Sequence, residues 1–288
     1  MQIQELVAVG SKTTMRIGGQ ARYYAEIATK EDAEEALRFS KEKNIPLIIL
    51  GSGSNTVFAD GVIEALVVRI KADKTSVEGN QIRVEAGKNL AMLINELAKQ
   101  NLDLSALTGI PGTLGGAVFG NAGQGQKGIW IEYYVKDVTA LIDGRWQTLP
   151  KAACEFKYRE SVFKHMKEPL ILWEVILEVP TRDRALVEAE VKVLLQKRIE
   201  TQPHIKTAGS CFKAVGDTPA WKLIDAAGLR GTKIGDVQIA EKHANFLLNI
   251  GKANYEDAKA IVKKVKKTIT EPLDVEMRFI EPDGSLAF

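Results

Sequence analysis

Two uncharged, glycine-rich segments hold the residue types that could bring backbone close to an anion. The first is Gly51-Ser52-Gly53-Ser54-Asn55, directly after the apolar run IPLIIL. Glycines there permit positive φ and close approach. Successive backbone N–H groups in such a turn form a concavity for phosphate oxygens, and Ser52 and Ser54 add hydroxyl donors. Neither familiar phosphate fingerprint is present. A P-loop needs Gly-Lys-Ser/Thr after four intervening residues, and no lysine is here; a Rossmann turn needs a third glycine opening a helix, where this chain has Thr56. On its residues alone the segment reads first as a strand-to-strand turn and second as an anion cradle.

The second segment is LTGIPGTLGGAVFGNAGQG, residues 107–125, with no charge between Asp103 and Lys127. A flexible linker would lack anchors, but Leu107, Ile110, Pro111, Leu114, Val118 and Phe119 are spread through it. A membrane span would not carry this many Gly, Thr, Asn and Gln residues with a proline. Glycine between apolar anchors fits backbone lying against something flat or bulky, and no acidic group repels an anion. Two such loops in one α/β domain suit a dinucleotide with a pyrophosphate and an apolar ring system. Tight turns packed on a sheet are the other reading.

The elements that must position these loops follow from periodicity. ATKEDAEEALRFSKEKN predicts a helix capped by Thr29, with Asp32 three residues on and Ala33, Ala36 and Leu37 on one face. IPLIIL and ALVVRI read as strands, which with the helix suggests an α/β unit. QIRVEAG alternates as a strand, and NLAMLINELAKQN follows with Leu90, Leu93, Ile94 and Leu97 at helical spacing. KDVTALID and RWQTLP predict a hairpin turning at Gly144, and PLILWEVILEVP a long strand. A helix is expected from about Arg184 to Arg198, with Leu186, Val187, Val191, Leu194 and Leu195 on one face. Then come a short helix closed by Gly228, the strand FLLNIG, and a last helix buried through Ala258, Ile261, Val262, Val265 and Ile269.

Composition sets the outer bounds. The chain has 288 residues and a net charge of +2 from 39 basic and 37 acidic side chains, so no basic excess points to nucleic acid. Lys263, Lys264, Lys266 and Lys267 suit the exposed C-terminal end of a helix, where the dipole favours cations. Cys154 and Cys211 form no CxxC pair and the three histidines are scattered, so neither a disulfide framework nor a metal set is expected. No signal peptide and no membrane span is evident, and a cytoplasmic location is the default expectation.

Six short motifs then occur in order: GSGSN, GIPGTLGGAVFGNAG, YRESVF, AGSCFK, LIDAAGLRGTKIGDVQIAEKHANFLLN and LDVEMRFI. With this order and spacing the chain resembles the UDP-N-acetylenolpyruvoylglucosamine reductases, flavoenzymes of peptidoglycan precursor synthesis, over nearly its whole length. The short connection after YRESVF resembles the branch without an extra substrate-covering loop. The resemblance implies a mixed α/β (α+β) fold: a FAD-binding module of two subdomains, 1–70 and 71–200, and a substrate-binding domain, 201–288.

It further implies noncovalent FAD held by Gly51, Ser52, Gly53, Ser54, Asn55, Gly109, Ile110, Pro111, Gly112, Thr113, Gly115, Gly116, Asn121 and Gly123. NADPH is the implied hydride donor and a UDP-sugar enolpyruvyl ether the implied substrate, with a monomer as the expected state. By resemblance Arg159 stabilises charge on the substrate carboxylate, a task for which its planar fork is suited. Glu276, which alternates with Val275 and Met277 as a residue of the expected C-terminal catalytic strand would, acts with it, Ser210 donates the final proton, and Tyr158 and Lys213 bind substrate. The family usually reads Phe-Lys-Asn-Pro after the serine; here Ala214 and Val215 follow Phe212 and Lys213, so the asparagine contact is missing. Two other functions remain at this point: another flavin oxidoreductase of the same superfamily, and a non-catalytic nucleotide-binding protein.

Overall fold

The computed structural model describes residues 1–124 and 128–288; Gly125, the last residue of the second glycine segment, and Lys127, which bounds it, lie outside the described residues. In chain order the elements begin with β1 (Ile3–Ala8), β2 (Gln20–Ile27), α1 (Lys30–Lys43), β3 (Leu47–Ile49), β4 (Thr56–Phe58), β5 (Val62–Ile70), β6 (Thr75–Glu78), β7 (Gln81–Glu85) and α2 (Leu90–Ala98). They continue with α3 (Leu114–Phe119), β8 (Val135–Ile142), β9 (Arg145–Pro150), β10 (Leu170–Glu178), α4 (Arg184–Thr201) and β11 (Thr207–Ser210). The chain ends with α5 (Ala220–Ala226), β12 (Lys233–Ile234), β13 (Val237–Ile239), β14 (Phe246–Asn249), α6 (Tyr255–Thr268) and β15 (Arg278–Ile280).

The chain divides into two compact units, one of residues 1–2, 25–51 and 68–198, the other of 3–24, 52–67 and 199–288. The first unit is built on an antiparallel sheet in the order β6-β7-β10-β8-β9. β8 and β9 turn through Asp143 and Gly144, both at positive φ (48° and 82°), the geometry that matches hairpin twist. α2 and α3 cover the sheet, and Leu93, Leu97, Leu114, Val118, Val138 and Val175 lie in one apolar core. α1 starts where the sequence says it should. Thr29 Oγ1 accepts the Asp32 N–H and the Asp32 carboxylate accepts the Thr29 N–H, a capping box of about 1 kcal/mol.

The second unit holds a sheet in the order β11-β14-β13-β12 and the two-stranded parallel pair β15-β4. α6 buries Ala258, Ile261, Val262 and Val265 in a second core with Phe212, Leu247 and Phe279. Lys263, Lys264, Lys266 and Lys267 all face solvent, as the periodicity predicts.

Two expectations need correction. The face proposed for α4 is not a buried stripe: Val187 is buried, but Leu186 and Leu195 are 56% and 45% exposed. Apolar residues at 3.6 spacing are necessary for burial, and only a partner surface completes it. The strand expected through Glu276 begins later, at Arg278; Glu276 lies in the irregular segment just before β15, and Val275 makes only an isolated bridge to Phe212.

Candidate functional site

In the first unit the first residue of one glycine segment meets the residue that caps the other's helix. A Cβ on Gly51 would stand 2.7 Å from Thr113 Oγ1. That oxygen caps α3, accepting the Gly116 N–H at 3.3 Å. Gly115 lies so close to the end of β7 that a Cβ would come within 2.8 Å of Ala86 Cβ, while among the described residues a Cβ on the exposed Gly116 would touch only Thr113 Oγ1, at 3.4 Å. One glycine of the pair is therefore needed for packing, and the other leaves backbone open to a ligand. Gly112, at φ +122°, accepts the Leu90 N–H. Pro111 is exposed beside the buried Ile110.

These residues fit a cofactor carrying phosphates and an apolar ring. No charged side chain occurs in 51–55 or 107–124. Thr108 Oγ1 is buried and has no hydrogen-bond partner among the described residues, and a buried hydroxyl of that kind is normally satisfied by something. Thr108 sits inside the second glycine segment, but its residue type alone does not mark it as a contact.

The far end of the segment is tied to Arg159. Asn121, fully buried and at φ +42°, donates through Nδ2 to Lys157 O (2.8 Å) and to Glu132 Oε1 (3.1 Å). Its Oδ1 accepts the Glu132 N–H at 3.3 Å. Arg159 donates from a terminal guanidinium nitrogen to Gly123 O at 2.8 Å. Lys157 and Glu160 exchange backbone hydrogen bonds of 3.1 and 3.0 Å around Tyr158 and Arg159. Arg159 sits at φ +57° and Tyr158 does not share that sign, the pattern of a type II turn whose third position is ordinarily glycine or asparagine. An arginine there costs roughly 1–2 kcal/mol. The guanidinium lies 5.3 Å from the centre of the Tyr158 ring, and Lys164 Nζ donates to the Arg159 carbonyl.

Arg198, near the end of α4, is a residue that sequence reasoning missed. A Cβ on Gly109 (φ +80°) would overlap its side chain. Burial, and then the like charge of Arg159, pull its guanidinium below its ordinary value. Two cations beside one uncharged glycine segment suit an anionic ligand. Nothing in the pattern could have singled Arg198 out, since a cation in the last turn of a helix is what the dipole favours anyway.

In the second unit, Gly53 is at φ +67°, and a Cβ there would stand 2.6 Å from Thr13 Cα. Its carbonyl accepts the Thr14 N–H at 3.1 Å. Ser52, Ser54 and Asn55 are half-buried. Thr56, at the position a Rossmann helix would need, opens strand β4. Asn55 Nδ2 donates to Glu276 O and Asn55 O accepts the Arg278 N–H, both at 2.9 Å.

Ser210, Lys213 and Glu276 are brought to one place in this unit. The Glu276 N–H donates to Cys211 O at 2.8 Å, and the Lys213 N–H donates to Asp274 O at 2.9 Å. Ser210 is half-buried at the end of β11, whereas Cys211 is fully buried. Burial, with the Glu276 charge nearby, pushes the Cys211 thiol up, which leaves it unreactive. Against β14 the register runs Thr207 to Leu248 and Ser210 to Phe246, three steps along one strand for two along the other. The extra residue is a β-bulge, with Gly209 at φ +79°. Lys213 and Ala214 are half-buried.

Comparison with known proteins adds the following. Residues 201–280 match the family model described as UDP-N-acetylenolpyruvoylglucosamine reductase, C-terminal domain, and residues 21–148 match that of the FAD binding domain. UDP-N-acetylenolpyruvoylglucosamine reductase 2 of Symbiobacterium thermophilum is 34% identical over 270 residues, covering 92% of this chain and 86% of that one. The Bacillus subtilis reductase is 32% identical over 273 residues, covering 93% and 89%. The crystal structure of the Thermus caldophilus enzyme superposes with a TM-score of 0.84 at 30% identity, covering 97% of this chain and 99% of that one.

Proposed function

The chain belongs to the UDP-N-acetylenolpyruvoylglucosamine reductase family, and from that premise we propose roles for its individual residues in the family's reaction. The activity is NADPH-dependent reduction of the enolpyruvyl group of a UDP-sugar to the lactyl ether of UDP-N-acetylmuramate, in peptidoglycan synthesis. FAD, when bound, would supply the hydride-transfer chemistry that links NADPH to the enolpyruvyl double bond.

Hydride addition places negative charge on the neighbouring carbon and its carboxylate. Arg159 stabilises that charge, which a fixed cation does best where water is excluded. Its strained turn and its bond to Gly123 O support this role, because strain held in place by surrounding hydrogen bonds is a mark of a functional residue. Glu276 assists at the carboxylate. Ser210 gives its hydroxyl proton to the carbon; a serine is a weak acid, so its placement carries the role. Tyr158 and Lys213 contact the substrate, Lys213 at a phosphate, and Arg198 joins them as a further anion contact.

For the cofactor, the open backbone at Gly116 and the buried Thr108 hydroxyl are the observations that support holding it along the second glycine segment. Gly51–Asn55, Gly109–Thr113 and Gly115 supply the remaining backbone. Asn121 and Gly123 act by tying that segment to the Arg159 turn. The protein works as a monomer in the cytoplasm; among the described residues no helix is long and apolar enough to cross a membrane.

Separating the two half-reactions tests the reading. In Ser210→Ala, reduction of bound flavin by NADPH stays near the native rate and reoxidation by the enolpyruvyl UDP-sugar falls at least 100-fold, within the usual range for an acid catalyst. Equal loss in both halves would remove Ser210 from the proton-donor role.

A further inference from the structure

The bulge in β11 decides which way Ser210 faces. Side chains alternate along a regular strand, so Ala208 and Ser210 would share a face and Cys211 would take the other. In the folded chain Ala208 and Cys211, three residues apart, are both buried, at 1% and 0% exposure, and Ser210 is half-exposed. One extra residue does this, because a single-residue slip exchanges the faces of everything after it. The bulge is of the kind whose extra residue is a glycine in the left-handed region. Its Gly209 N–H donates to Thr207 Oγ1 at 3.3 Å.

Two physical reasons could hold a glycine at this position. One is conformation: φ of +79° is costly for a residue with a Cβ. The other is space for a ligand against the backbone. Space within the protein is not the constraint, since the nearest atom to a Cβ built on Gly209 is Ser54 O, at an ordinary 3.9 Å.

We propose that Gly209 is a positioning residue for the reductase reaction. Its left-handed backbone closes the β11 bulge, turns Ser210 out of the core, and sets it in register with the Cys211 carbonyl that holds Glu276. The proposal rests on the proton-donor reading of Ser210. Residue 209 acts through the next residue in the chain and touches no reacting atom itself.

The test compares Gly209→Ala, Gly209→Asn and Thr207→Val in the FAD-loaded protein, with Ser210→Ala alongside. Asparagine tolerates the left-handed region and alanine does not, although both add a Cβ. Gly209→Ala is expected to slow reoxidation by the UDP-sugar about 100-fold, the scale of a misplacement near 1 Å, and to leave flavin reduction by NADPH and flavin content unchanged. Gly209→Asn is expected within about threefold of the native rate in both halves. Thr207→Val loosens the bulge without touching φ, and carries the test should the alanine variant fail to fold; about threefold to tenfold slower reoxidation is expected. Gly209→Ala in the Ser210→Ala background should add nothing, which a general loss of stability would not reproduce.

Equal impairment by alanine and asparagine, with weakened substrate or flavin binding, would show that the glycine makes room for ligand and would overturn the proposal. So would native reoxidation in Gly209→Ala while Ser210→Ala is crippled. Native reoxidation in Ser210→Ala would instead remove the proton-donor reading itself, whatever the variants at 209 do.

Discussion

Arg159 and Ser210 are delivered by opposite devices. Both follow or occupy a left-handed residue. At the Tyr158-Arg159 turn the functional residue itself carries the unfavourable φ, +57°, and Gly123 O, the Lys157–Glu160 bonds and Lys164 hold it there. At the β11 bulge the conformation falls to Gly209, which adopts it without strain, and Ser210 keeps ordinary strand geometry. A long charged side chain can be held by its own hydrogen bonds, so its backbone can be forced. A serine has one short arm and depends on the backbone to aim it.

The largest expected effect tests the Arg159 side of this contrast. Arg159→Lys keeps the charge and loses the fork, and turnover should fall about 100-fold or more with flavin absorbance intact. A colourless Arg159→Lys protein would move the residue to cofactor retention. Next is a stability effect that separates strain from chemistry. Arg159→Asn and Arg159→Ala should be equally inactive, but Asn should unfold at higher urea, by about 1 kcal/mol. Equal midpoints would mean that the turn is not strained in the way its φ implies.

The smallest effect concerns the two thiols, of which Cys211 directly follows Ser210. Burial pushes the Cys154 thiol up to about 11, and Cys211, beside Ser210, higher still in the same direction. The neutral thiol therefore dominates at pH 8 in the folded protein. A maleimide at that pH should label neither cysteine in the native chain and both in urea, without loss of activity in the native sample. Rapid native labelling of Cys211 alone would show that the bulge opens on its own, and would weaken the contrast with the Arg159 turn.

Elements with strong local signals were legible. The Thr29–Asp32 box, the hairpin through Gly144, the Gly228 stop and the lysine face of α6 stand where periodicity and capping put them, because each depends on residues within a few positions of one another. α4 and the Glu276 segment depart from their local patterns for the opposite reason. Spacing alone does not bury a helix face, which needs a partner surface, and alternation alone does not make a strand of Glu276, which has no ladder before Arg278.

What the sequence determined by itself was the set of elements, the two glycine segments with no charge within them, and the six ordered motifs that carry the family likeness. Those are local patterns, and local sterics and hydrogen bonding write them into the chain. The tertiary structure decided which glycines are closed by protein and which are open, that Asn121 joins the second segment to the Arg159 turn, that Arg198 lies against Gly109, and that a one-residue bulge turns Ser210 outward. Each of these depends on residues brought together from distant positions, or on one extra residue in a strand register, and a register is defined only once a second strand is present to count against.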